Sequence, residues 1–172
     1  MATATITPDQ ETVLVEIFIA APPERVFQAI SDPEQLSQWW GQSGLYRITE
    51  RSADLRKGGK WWCAGVGADG TKFSVEGEYL EIDPPRRLVH TWIASYQGPL
   101  RTVVYWDLEP QTVHGLHPSG PKKAGTGTLV KLRHEGFVGV PKSAIEHGEG
   151  WKRVLGWMEA YVERGETIDT RK

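Results

Sequence analysis

The apolar positions change their period along the chain in a fixed order. Residues 12–19, TVLVEIFI, place Val13, Val15, Ile17 and Ile19 on one parity, which predicts a half-buried strand. The next segment, AAPPERVFQAI, shifts to helical spacing: prolines suit a helix start, Glu24 falls in the first turn, and Val26, Phe27 and Ile30 share one face. A second short helix is predicted from Pro33 to about Trp39, with Asp32 as its cap and Gln35 spaced as in a capping box, stopped by Gly41. Extended signals follow: a short strand near 50–56, KWWCAGV at 60–66, TKFSVEGEYLEI ending at Asp83, Leu88 to Ser95, RTVVYWDLE at 101–109 and TLVKLRH at 128–134. Short connections such as Gly58-Gly59 and Gly67 to Gly70 read as the turns of an antiparallel meander. The final helix, running to about Arg164 and stopped by Gly165, carries Trp151, Val154, Leu155, Met158, Tyr161 and Val162 as an apolar stripe.

A long amphipathic helix must bury its stripe, and the only large apolar surface available is the concave face of a curved antiparallel sheet. The expected fold is therefore α+β, a helix grip: a curved antiparallel sheet wrapped around a long C-terminal helix, with two short helices after the first strand. A curved sheet and a helix do not mate flush, so a cavity between them is expected. The 172 residues read as a single domain, 1–172, with residues 1–10 as a flexible N-terminus and the glycine-rich 110–127 as a long loop.

Composition narrows the function classes. Twenty Lys and Arg against 22 Asp and Glu give a formal charge of −2, so there is no global positive field to hold a nucleic acid. No stretch approaches the roughly 18 apolar residues of a membrane span, and the first ten residues hold no signal-peptide pattern. The single cysteine, Cys63, excludes an internal disulfide and agrees with a cytoplasmic location. Eight tryptophans are far more flat apolar surface than a domain of this size usually carries, and imply an aromatic core or an aromatic-lined cavity.

Several residues could carry chemistry. His134 shares its parity with Thr128, Val130 and Leu132, which directs its imidazole inward, where it could orient a ligand carbonyl, act as a general base or simply bond the backbone at a strand end. His90 shares parity with Leu88 and Trp92, yet Val89, Thr91 and Ile93 make the opposite face equally apolar, so either face can be the inner one. Trp106, between Val104 and Leu108, is a candidate for the cavity wall or for ordinary core. Glu76 and Glu78 alternate with the inward Phe73, Val75, Gly77 and Tyr79, which puts both carboxylates in water. His114 and His117 form an HxxH in the glycine-rich loop without an acidic or cysteine ligand beside them, so no metal is expected there. Cys63 has no paired base and reads as a structural thiol. Fingerprints for nucleotide binding, zinc proteases and α/β-hydrolases are absent from their required contexts.

Five segments together resemble a known bacterial group: APPERVFQAISDPEQLSQWW at 21–40, DLRKGGKW at 54–61, IDPPRRLVHTW at 82–92, GTLVKLRHEGF at 127–137 and GEGWKRVLGWMEAYVERG at 148–165. These are similar to stand-alone SRPBCC (START-like) proteins named for the C-terminal domain of the activator of the ninety-kilodalton heat-shock chaperone's ATPase. The departure is at 110–126, where such proteins often have a shorter turn. The activator's separate N-terminal chaperone-contacting domain has no counterpart in this chain.

The resemblance implies a START-like cavity for a small hydrophobic molecule or lipid, with no cofactor. The expected lining is Trp39, Trp40, Trp62, Tyr79, His90, Trp92, Val104, Trp106, Leu132, His134, Trp151, Leu155 and Met158, with His134 or a tyrosine hydroxyl as polar anchor. Two other readings stay open: a polyketide-cyclase-like or hydrolase enzyme using the same pocket, and a co-chaperone-like interaction module. No nucleic acid, no membrane insertion, and a monomer or weak homodimer are expected.

Overall fold

The computed structural model describes residues 1–113, 116–117, 120–121 and 125–171; at residues 113, 116, 117, 120, 121 and 125 it describes the backbone alone. In chain order the elements are β1 (Thr3–Ile6), β2 (Thr12–Ile19), α1 (Pro23–Ser31), α2 (Pro33–Trp39), β3 (Gly41–Gln42), β4 (Tyr46–Ala53), β5 (Lys60–Gly67), β6 (Lys72–Asp83), β7 (Arg87–Ala94), a 3-10 turn (Ser95–Gln97), β8 (Arg101–Val113), β9 (Leu116–His117), β10 (Gly120–Pro121), β11 (Gly125–Glu135) and α3 (Pro141–Arg164). Nine strands make one antiparallel sheet in the order β1-β2-β11-β8-β7-β6-β5-β4-β3, and β9 pairs with β10. This is the expected helix grip, with α3 packed on β2 and β1 and with α1 bridging β8, β11 and α3.

Register makes the inner face legible residue by residue. Val13 pairs with His134, Val15 with Leu132, Ile17 with Val130 and Ile19 with Thr128, and all eight are buried. On the next strand His134 faces Val104 and Leu132 faces Trp106, while Leu88 and His90 of β7 face Trp106 and Val104. A shift between Tyr79 and Glu81 is a β-bulge that bends β6, and another lies between Ile48 and Glu50 in β4. Such bulges increase local twist and help the sheet curl over the helix. Gly165 ends α3 in the left-handed region (φ 71°), its N–H reaching the Tyr161 carbonyl at 2.9 Å.

Three local expectations are corrected. Residues 1–10 are not a free terminus: Thr3–Ile6 pairs with β2, Ala2 is buried, and a methyl of Ile6 lies against Gly148 of α3. The stretch 110–127 is not wholly loop, because β8 runs on to Val113 and pairs with Gly125 at the start of β11. The Asp32 cap is present, its carboxylate accepting from the Glu34 N–H at 2.9 Å, but Gln35 does not close the box. Its Oε1 instead accepts from Arg25 at 2.7 Å, tying α1 to α2.

Candidate functional site

The inner faces of β4 to β8, the end of α2, the 3-10 turn and one face of α3 line a cavity of about 590 Å³ that is partly open to solvent. Its walls are mainly aromatic and aliphatic, because alternation delivers every second side chain of five strands to the same place. Trp61 and Cys63 come from β5, Val75 and Tyr79 from β6, and His90 and Trp92 from β7. Trp106 comes from β8, and Trp151 and Val154 from α3. Trp40, just past α2, stacks on Trp92 (centroids 6.3 Å apart) and meets Trp151 edge-on at 5.6 Å. Trp61 and Trp92 lie 5.8 Å apart, and Trp106 meets Trp151 edge-on at 5.5 Å. The rings form one continuous wall.

Hydrogen bonds sort the eight indoles. Trp39 donates to the Ala29 carbonyl (3.0 Å), Trp40 to the Tyr46 hydroxyl (3.1 Å) and Trp157 to Gln42 Oε1 (3.2 Å). Trp106 donates to His90 Nε2 (3.1 Å) and Trp151 to His134 Nδ1 (3.0 Å). Trp62 is 39% exposed. The indole N–H groups of Trp61 and Trp92 are buried and have no partner at hydrogen-bond distance.

The indole donors also fix the histidine tautomers. An indole N–H only donates, so His90 Nε2 and His134 Nδ1 must accept and carry no proton. His90 then donates from Nδ1 to the Thr91 carbonyl at 3.1 Å. His134 donates from Nε2 to Thr102 Oγ1 at 2.6 Å, and that hydroxyl donates to the Trp92 carbonyl at 3.1 Å. Burial lowers the His90 pKa to about 4 and holds His134 well below the ordinary imidazole value, helped there by His147 and His90. Both are neutral, fully bonded and structural. His134 is also shielded from the cavity, packed against Trp92 and Trp151 at 5.6 and 6.0 Å, so it is not the polar anchor expected of it.

Of the expected lining, Trp40, Tyr79, His90, Trp92, Trp106 and Trp151 converge on the cavity. Trp39, Val104, Leu132, Leu155 and Met158 are buried core behind it. Trp62 borders the cavity through its place in β5, but its register with Ser52 and Glu76 turns the ring to the outer face, and Trp61 is the inward neighbour. Sequence reasoning missed Tyr46, Arg51, Trp61, Phe73, Tyr96 and His147, all on the wall. The KWW alternation contained the signal for Trp61, read one residue out of phase.

Other candidates take ordinary places. Glu76 is exposed and Glu78 pairs with Lys60 at 3.0 Å, both outside as expected. Cys63 is partly buried on the cavity wall, and burial raises its thiol to about 11. Burial likewise pushes Tyr46 and Tyr79 up to about 12, so both phenols are neutral. Among the described residues there is no cluster of metal-ligating side chains, and the side chains of His114 and His117 lie outside them. No described helix is long and apolar enough to cross a membrane.

Comparison with known proteins agrees with this architecture. A protein from Chromobacterium violaceum is 26% identical, with 89% of this chain aligned to 97% of that one and a TM-score of 0.67. The AHSA1 protein from Silicibacter pomeroyi is 24% identical, over 90% of this chain and 99% of its own, with a TM-score of 0.69. A protein from Arthrobacter aurescens superposes with a TM-score of 0.75 at 18% identity, over 94% of this chain and 91% of its own. No curated protein matches in sequence. The profile of the family described as "Activator of Hsp90 ATPase homolog 1-like protein" matches residues 20–116, more than half of the chain and the part that supplies most of the cavity wall. The chain belongs to the Activator of Hsp90 ATPase homolog 1-like protein family.

Proposed function

We propose that this protein binds a small, flat, hydrophobic molecule in the cavity between its sheet and α3. The observation that carries the reading is the cavity itself: about 590 Å³ lies inside an aromatic wall in a chain that could have filled it with its own side chains. Interiors are normally packed to crystal density, and space of this size lined by apolar groups is the usual form of a small-molecule site. Most residues that complete the wall stand on strands and helices, so the pocket is held open largely by a rigid scaffold, with turns such as Tyr96–Gln97 at its margin. His134, first considered as a general base, and His90 are both committed to internal hydrogen bonds. Binding, rather than turnover through either of them, is the function supported.

Titration with 2-acetonaphthone, followed by quenching of tryptophan emission, tests the reading. Trp40, Trp61, Trp92, Trp106 and Trp151 all stand at the wall, so saturable quenching at one site per chain is expected. The Cys63→Trp variant, which fills the cavity from β5, should weaken binding at least tenfold. Quenching that never saturates, or that survives the filled cavity, would overturn it.

A further inference from the structure

The cavity wall is not uniformly apolar, and its polar exceptions share a pattern. Among the described residues, the buried side-chain nitrogens and oxygens without a hydrogen-bond partner are Arg51 Nε, Trp61 Nε1, Trp92 Nε1 and Gln97 Oε1. All four belong to residues of the cavity wall, and three of the four are N–H donors. A buried polar group without a partner costs the molecule stability, so such groups are rare and call for a partner from outside the chain, a water or a ligand. The Gln97 amide bonds Ser143 through its nitrogen and can offer its oxygen to the same hydroxyl by turning over, so it places no demand on a ligand. The Trp92 N–H stands beside the Tyr96 hydroxyl, which can accept from it after a small movement, whereas Arg51 and Trp61 have no such way out.

Their placement is compact. Arg51 pairs with Cys63 across β4 and β5, and Ala53 with Trp61, so Arg51 and Trp61 are diagonal neighbours on the inner face. Diagonal neighbours lie about 7–8 Å apart at the backbone, within reach of long side chains. Trp61 and Trp92 rings are 5.8 Å apart. Trp92 is only 7% exposed. Gly77, opposite Trp61 in the register, has no side chain to cover the Trp61 N–H.

Charge narrows the partner further. The Arg51 guanidinium already holds Glu34 Oε2 at 2.6 Å through its terminal nitrogen, which offsets its charge. The donors left on this mainly apolar wall are an uncharged indole N–H and one N–H of an ion-paired guanidinium, which suit a carbonyl oxygen and would leave a carboxylate's charge largely uncompensated. We infer that the ligand is an apolar, flat molecule bearing a carbonyl-type oxygen that accepts from the β4–β5 donors Arg51 and Trp61, with the Trp92 indole beside them. This inference rests on the binding function proposed above and adds the chemical class of the ligand to it.

The test uses two probes of one shape, 2-acetonaphthone and 2-isopropenylnaphthalene, which differ by C=O against C=CH₂. Their binding to the ¹⁵N-labelled whole chain is followed in the indole region of the ¹H–¹⁵N spectrum, where the eight tryptophans give separate signals. The ketone should move the Trp61 or Trp92 N–H downfield, and the alkene should not. The ratio of ketone to alkene affinity should fall on the order of tenfold in Trp61→Phe, the scale of one hydrogen bond. The spectrum of the unaltered protein decides the matter even if that variant folds poorly. If both probes bind and neither moves these two N–H signals, the carbonyl inference fails while the cavity reading stands. If neither probe binds, both fall.

Discussion

Acidification from pH 7 to 5 should destabilise this fold through its buried imidazoles, and the size of the effect follows from the hydrogen-bond directions. A proton added to His90 Nε2 would face the Trp106 N–H, and one added to His134 Nδ1 would face the Trp151 N–H. Both rings therefore resist protonation when folded, whereas in the unfolded chain they titrate near 6.5. With His90 lowered to about 4, the folded ring is roughly one-tenth protonated at pH 5 while the unfolded one is almost fully so. The unfolded state then binds more protons, so stability is intact above about pH 6.5 and is lost as pH falls toward the folded value. For His90 alone the loss between pH 7 and 5 is about 2 kcal/mol. His134 and His147, both lowered first by burial, add to it with the same sign. The surface carboxylates Asp9 and Asp69 are lowered by hydrogen bonds and titrate below this window. Urea unfolding at pH 7 and 5 measures the difference. The double variant His90→Gln/His134→Gln, which keeps an acceptor and a donor at each site, should flatten most of it. Equal stability of the native protein at the two pH values would refute the assigned tautomers and their burial.

Further predictions follow from the same wall. Trp106→Phe leaves His90 without its donor and should cost about 1–3 kcal/mol in chemical denaturation, beyond the loss of ring area. Trp61→Phe removes an N–H that has no partner and should cost the ligand-free protein measurably less than Trp106→Phe in the same assay. Gly77→Ala should be severely destabilising, because the new Cβ would stand 2.1 Å from the Thr91 carbonyl oxygen and 2.5 Å from Trp61 Nε1. A drop in thermal midpoint no larger than that of a glycine with open space at its Cβ, such as Gly156→Ala, would contradict that packing. Alkylation of Cys63 at pH 8 should run about 10²-fold slower than that of a free thiol, given its pKa of about 11, and slower still with a probe in the cavity.

The order of elements was legible because period is a strong signal wherever one face is buried and the other wet. β2 shows this best, with four buried apolar residues alternating with exposed positions. β7 defeats the same reasoning for a physical reason: Val89 and Thr91 are 3% and 2% exposed, so both faces of that strand are covered and parity cannot say which carries His90. β1 was missed because four residues of Thr-Ala-Thr-Ile carry too little apolar surface to announce a strand, and its burial depends on β2 and α3, which are distant in sequence. The phase error between Trp61 and Trp62 is of another kind. Two adjacent indoles are chemically alike, and only the cross-strand partners Ala53 and Gly77 select Trp61 for the inner face. Side-chain pairing was also hidden from spacing: Gln35 stands where a capping-box residue belongs, but Arg25 competes for it. His134 pointed inward as expected, yet Trp151 and Thr102, 17 and 32 residues away, had already taken both of its nitrogens.

The central claim is that the cavity is a ligand site and not a packing defect. Native mass spectrometry of gently purified protein, beside the Cys63→Trp variant and beside a denatured control, tests it most directly. The account predicts a one-to-one non-covalent complex with an apolar, carbonyl-bearing molecule, either co-purified or formed on adding 2-acetonaphthone, and its loss in the filled variant. A bare chain mass for the native protein even with 2-acetonaphthone at its solubility limit, or an adduct retained equally by Cys63→Trp, would contradict it.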